Sequence, residues 1–227
     1  MKKYIAIFIL FPFLGFGQSE GKVWAEYGVK GEINKKMDWA GEMTTRFGSE
    51  GLETFFPQAS LKYKVTSWFR PSIDYRAIFS KDDFKNYSFG NRLNFNANFK
   101  FTMDRLSFAG RIRYQYAFGG FGSSAYNVEF DQAFRFKPEF SYDIDNSFIT
   151  PVASIEFFYN PNYGPYGQRF TKYRAFIGVE FELDSPHEFS VGYILDQKIQ
   201  VPNTATRHVL NISYSYNLGY KPGKNKK

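Results

Sequence analysis

From Tyr87 to Phe101 the chain alternates strictly in character. Tyr87, Phe89, Leu93, Phe95, Ala97, Phe99 and Phe101 share one parity, interrupted only by Asn91. Ser88, Gly90, Arg92, Asn94, Asn96, Asn98 and Lys100 share the other. A period of two is an extended strand with two unlike faces, and this one far outruns an ordinary strand of about five or six residues. The same alternation predicts strands at 23–33, 37–47, 54–65, 68–79, 105–118, 130–144, 148–159, 169–183, 187–197 and 207–218 as well. No apolar stripe at helical spacing lasts longer than a turn or two. Asn34–Lys36, Thr66-Ser67, Met103-Asp104, Asp145-Asn146 and Asp184–Pro186 carry short-turn chemistry. Between them fall longer connections rich in Gly, Pro and Asn: Gly48–Glu53, Ser80–Asn86, Gly119–Asn127, Asn160–Gln168 and Asp196–Thr206. Short and long connections alternate along the whole chain. With no linker or break in composition, the strands form a single domain.

Composition decides which way the apolar faces point. The 227 residues include 28 Phe and 17 Tyr, yet mean hydropathy is −0.43, so apolar and polar positions are interleaved. A soluble barrel would have to pack about eleven apolar faces into one interior, and closed barrels of about 8 strands have room only for side chains or one small ligand. Turned outward into lipid, the same faces need no packing partner. The fold expected is therefore all-β: a transmembrane antiparallel up-and-down β-barrel of about 10–12 strands, its short turns periplasmic and its long loops outside. Eleven segments is an odd number, whereas such bacterial barrels are even-numbered. Either one segment is not a strand or a further strand is hidden.

The N-terminus supports export. Lys2 and Lys3 precede the apolar run Tyr4 to Leu14, and Gly15-Phe16-Gly17 offers small residues at a cleavage site. Residues 1–17 read as a signal peptide and 18–227 as the barrel domain, ending in a short basic tail, in the outer membrane of a Gram-negative cell. Removing Lys2 and Lys3 lowers the formal charge from +7 to +5, 27 basic residues against 22 acidic. An exported chain meets little nucleic acid, so lipid is the partner expected, with no nucleic acid and no known protein partner. Without cysteine there is neither a disulfide nor thiolate chemistry.

If lipid takes the apolar faces, the polar ones line the lumen. Strands from 54 to 144 then send inward Arg70, Arg76, Arg92, Arg111, Arg113 and Arg135, with Lys62, Lys64, Lys100, Arg105 and Lys137. Against them stand Asp74, Asp131, Glu139 and Asp143. The remaining strands lean acidic, through Glu26, Glu42, Glu156, Glu180 and Glu182, with Glu32, Glu188 and Asp196, against Lys30, Arg46, Lys172, Arg174 and Arg207 as the basic members. One arc of the wall is basic and the other acidic. The arcs face each other across a narrow lumen, and two readings follow: a cross-lumen ion-pair network that fills the barrel, which is preferred, and a narrow porin-like channel for a small polar solute.

Candidate chemistry is sparse. A lipid-modifying enzyme needs a histidine beside a nucleophile at the rim. Only His187 and His208 exist, and Thr206 is the sole hydroxyl beside His208. His208 is preferred as an interfacial residue, and no enzyme activity is expected. Two distant histidines and no cysteine exclude a zinc cage. Asp82 with Asp83, or Asp143 with Asp145, could hold Ca²⁺ only weakly. Gly119 to Ser124 resembles a phosphate cradle but lacks its lysine and following helix. Tyr163 and Tyr166 suit a loop contact surface, although a rigid cap is preferred. No cofactor is expected. Trp39 and Trp68 sit by short turns, as in an aromatic girdle, while Trp24 has no assigned role.

Several segments resemble one family. Val23 to Arg46 (VWAEYGVKGEINKKMDWAGEMTTR), IDYR at 73–76, NRL at 91–93, RIRYQY at 111–116, IEFFYN at 155–160, YRAFIG at 173–178 and HVLNISYSY at 208–216 are similar in order and spacing to domain of unknown function 2490 (DUF2490), a bacterial outer-membrane barrel family. The end of the signal peptide resembles those of Bacteroidota. The resemblance implies an outer-membrane barrel of uncharacterised role and transfers no catalytic residue.

Overall fold

The computed structural model describes residues 19–81, 86–118, 132–162, 167–201 and 204–220. The segment 1–17, Asp82 and Asp83, Gly119 to Ser124, Asp131, Tyr163, Tyr166 and the basic tail from 221 lie outside the described residues. Those described contain eleven strands and no helix: β1 (Ser19–Asn34), β2 (Met37–Gly48), β3 (Gly51–Tyr63), β4 (Phe69–Lys81), β5 (Tyr87–Met103), β6 (Leu106–Phe118), β7 (Gln132–Tyr142), β8 (Ile149–Asn160), β9 (Arg169–Phe181), β10 (His187–Lys198) and β11 (Thr206–Asn217). Consecutive strands pair antiparallel, and β1 pairs with β11, so the sheet closes into a barrel.

The odd strand count is real, and the expectation of an even number is corrected. Among the described residues no expected strand is lost and none is added. In an up-and-down meander every odd-numbered strand runs the same way, so β1 and β11 meet in parallel. Their register runs unbroken from Ser19↔Thr206 to Lys30↔Asn217. Parallel ladders are slightly weaker per residue, and ion pairs reinforce this seam near both ends. Arg207 Nε donates to Glu20 at 3.2 Å. Lys30 Nζ lies 2.5 Å from Glu188 Oε2, which also accepts Ser215 Oγ at 3.0 Å.

Two rims result. The connections after β2, β4, β6, β8 and β10 lie at one, here the long-loop rim; those after β1, β3, β5, β7 and β9 lie at the other, the short-turn rim. The length contrast is softer than the sequence suggested. Gly48–Glu53 is no long connection: β2 and β3 pair as far as Gly48↔Gly51, leaving a two-residue turn before Gly51, whose φ of 86° favours glycine. Conversely, 64–68 and 143–148 are longer than the turns expected there. Asp104 and Asn146 hold left-handed φ values of 53° and 54°, which Asp and Asn tolerate.

The barrel exterior is apolar. Phe95 is 48% exposed and Ile177 65%, with no protein packed on them. Asn91, the polar residue on this face of β5, is buried and accepts the Tyr75 hydroxyl at 2.6 Å. Aromatic rings cluster towards both rims. Trp68 stacks on Phe101 at 5.7 Å at the short-turn rim, and Phe55 on Phe79 at 4.5 Å nearer the other. Trp39 lies over Gly31 on the neighbouring strand, where a Cβ would meet its indole nitrogen at 2.9 Å.

Candidate functional site

The alternate parity faces an interior cavity of about 940 Å³. Arg70 and Arg76 from β4, Arg92 from β5, Arg111 and Arg113 from β6, and Arg135 from β7 line it. Glu26, Glu42, Glu156 and Glu180 line it from β1, β2, β8 and β9. Glu182 lies past the end of β9 at the short-turn rim, exposed, where it accepts Thr150 Oγ1 at 2.6 Å. Lys64 and Arg105 stand in rim turns, and Arg105 pairs there with Asp145.

Three ionic clusters organise the wall. Glu156, 3% exposed, accepts Arg135 at 2.7 and 3.1 Å and Arg111 at 2.7 Å, with Arg174 at 3.9 Å. Asp196, 1% exposed, accepts Arg174 at 2.6 and 2.9 Å, with Lys172 3.6 Å away. Asp74 takes Arg113 and Asn96, each at 2.9 Å. A fourth chain runs from Arg76 through Gln58 to Glu42, with both bonds at 2.9 Å. These partners sit on adjacent or next-adjacent strands. The charges are satisfied sideways along the wall, not across the lumen diameter.

Sequence reasoning missed the apolar residues on this inner face. Trp24, Phe56, Val152, Phe158, Ile194 and Val209 are buried there. Each breaks the polar parity of its own strand, and that was the available signal. The rings carry cations on their faces. Trp24 lies between the Arg46 and Arg174 guanidinium groups, at 4.0 and 4.6 Å from its centroid, which gives it the role the sequence left open. Phe158 faces Lys172 at 4.1 Å and Arg135 at 4.4 Å, and Phe56 faces Arg76 at 4.3 Å. Arg46 forms no ion pair among the described residues, and its guanidinium lies over the faces of Trp24 at 4.0 Å and Phe56 at 4.8 Å.

The buried groups concentrate towards the long-loop rim. Thr44, Arg113, Arg135, Glu156, Phe158, Thr171, Asp196 and Val209 all lie within about six residues of that end of their strands. Towards the short-turn rim the lining residues Glu32, Lys62 and Glu180 are exposed. The interior is thus more densely packed in the half near the long-loop rim, here called the plug, than in the half near the short-turn rim, here called the vestibule. Within the plug, Phe176 lies flat over the bare backbone of Gly178 and Gly192. A Cβ at Gly192 would come within 2.4 Å of the ring and 2.8 Å of the Ile177 carbonyl. Gly192→Ala is therefore expected to lower the unfolding free energy by about 1–3 kcal/mol through overpacking, read as a lower denaturant midpoint. An unchanged midpoint would show that the ring has another place to lie.

Both histidines stand on the outer face. His208 Nδ1 is 2.6 Å from the Tyr193 hydroxyl and His187 Nδ1 2.9 Å from that of Tyr214. Thr206, the hydroxyl beside His208 in sequence, bonds to Gln197. Among the described residues no group of His, Asp and Glu is placed to hold a metal ion. No described helix is long and apolar enough to cross a membrane, which has no bearing on crossing by strands.

A family model described as "Protein of unknown function (DUF2490)" matches residues 21–208, from β1 into the start of β11. No curated protein matches the chain. A solved structure described as "Unveiling the Mechanism Behind the in-meso Crystallization of Membrane Proteins" is similar over 76% of this chain and 76% of its own, at 15% identity and a TM-score of 0.37. A likeness that low carries no argument.

Proposed function

Because the chain belongs to the DUF2490 family of proteins of unknown function, which names no activity, we propose its role from the barrel itself. It is an outer-membrane protein of a Gram-negative cell that crosses the bilayer with its strands. Its lumen is occluded in the outer half by a packed layer of rings and ion pairs, and open on the periplasmic side as a charged vestibule. One observation carries this reading: a closed barrel turns large apolar side chains outward without a covering layer and turns its arginines and carboxylates inward. Water would favour the opposite arrangement, and hydrocarbon favours this one. The signal-peptide pattern of residues 1–17 agrees with export.

Two measurements test it. The protein is expected in the outer-membrane fraction, as a compact band in cold SDS that shifts on boiling; recovery from the soluble fraction would overturn the reading. In planar bilayers the plug predicts no conductance steps above background. The cavity of about 940 Å³ favours one second reading, a narrow channel for a small polar solute, and reproducible steps would establish it in place of occlusion.

A further inference from the structure

One row of register partners crosses four strands at the vestibule wall. Arg70 on β4 stands opposite Asn98 on β5, Asn98 opposite Arg111 on β6, and Arg111 opposite Lys137 on β7. All four line the cavity, and opposed side chains on one face have Cβ atoms about 4.5–5.5 Å apart. Lys62 and Lys100 join them around a recess of about 800 Å³. Like charges placed directly opposite one another destabilise a sheet, as Arg111 and Lys137 do here, unless an anion lies between them.

The protein supplies too few anions. Glu139 is the one carboxylate lining this recess, and Lys137 holds it at 2.6 Å. Arg111 is drawn to Glu156 at 2.7 Å. Glu180 faces the vestibule from β9. Lys62, Arg70 and Lys100 form no ion pair among the described residues. Asp38 stands opposite Lys62 in register, and Glu32 lines the same half of the cavity; the other carboxylates that answer the basic arc sit deeper, around Arg113, Arg135 and Arg174. The recess therefore gathers five basic side chains, Lys62, Arg70, Lys100, Arg111 and Lys137, around one carboxylate, Glu139, in a concave wall where field lines focus and counter-ions gather.

We propose that this wall binds a soluble phosphate-bearing solute entering from the short-turn side. Arg70 engages the phosphate oxygens through its planar fork, and Lys62 and Lys100 add charge from either side. Because these side chains face the lumen, the ligand is a solute and not a bilayer lipid. The identification of the entry side as periplasmic rests on the membrane reading above; the site itself does not.

The test is calorimetric titration of inorganic phosphate into the full-length protein in maltoside micelles free of phosphate. Saturable binding is expected, with acetate at least about tenfold weaker because it carries less charge. Arg70→Gln/Lys100→Gln should weaken phosphate binding by at least about tenfold, the loss of charge-assisted bonds to one anion. Lys35→Gln/Lys36→Gln, which removes the same charge from an exposed turn at the same rim, should leave it within about twofold, since neither side chain lines the recess. No saturable heat at millimolar phosphate, acetate binding as well as phosphate, or equal weakening by both double variants would overturn the proposal. Each variant is first checked for its compact band in cold SDS. A failure to bind with that band intact therefore counts against this site and leaves the membrane reading standing.

Discussion

Glu156→Gln is expected to lower the unfolding free energy by about 3–5 kcal/mol, the usual cost of removing one partner from a buried ion pair. Glutamine keeps the volume and one acceptor, so packing is not the variable. What changes is charge. Arg111, Arg135 and Arg174 all converge on this carboxylate, and Arg113 is the direct register partner of Arg135. Without the carboxylate the plug holds opposed guanidinium groups whose nearest anions, Asp74 and Asp196, already serve Arg113 and Arg174. The backbone offers little compensation, because the β7·β8 ladder skips Lys137 and Pro138 beside this point. Denaturant unfolding in lipid vesicles, followed by tryptophan fluorescence, measures the loss. Glu139→Gln is the comparison. Its carboxylate is partly exposed and paired with Lys137 alone, so it should cost under about 1 kcal/mol. Equal effects at the two sites would mean that the plug is not an electrostatic unit.

The second large effect tests the outward face. Phe95 lies at the middle of β5, points away from the lumen and is 48% exposed. Phe95→Arg in vesicles is expected to cost about 2–4 kcal/mol, the depth-dependent price of arginine at the bilayer midplane. Phe101→Arg, on the same face near the short-turn rim, should cost only about 0–1 kcal/mol, although it also removes the stacking on Trp68. The gradient between the two positions is the signature of hydrocarbon. Were Phe95→Arg as stable in vesicles as the parent chain, the assignment of that face to lipid could not stand.

Much of this was legible before any coordinates, for a local reason. A strand's faces repeat every two residues, so Arg92, Asn94 and Asn96 had to oppose Phe89, Leu93 and Phe95 wherever β5 ended up. Eleven strands with two-faced alternation, their approximate bounds and the side on which Arg135 and Glu156 lie all follow from parity. Turn chemistry was local as well, at Asp104 and Asn146. It misled at Gly48–Glu53, where a run of polar and glycine residues pairs as strand almost to its end, and at 64–68 and 143–148, which are longer than the turns expected.

What parity could not supply is relation between distant segments. Whether β1 meets β11 is a property of closure, and the parallel seam exists because the long register from Ser19 to Lys30 finds Thr206 to Asn217 and nothing local forbids it. The stagger between strands then sets which charges are neighbours. Two opposed arcs suggested pairing across the lumen, while the register instead places Glu156 beside Arg135 and Asp196 beside Arg174. The plug of Trp24, Phe56 and Phe158 is equally non-local. An aromatic ring at an inward position is an anomaly in its own strand, and only the assembled barrel brings the cations of two other strands over the faces of each.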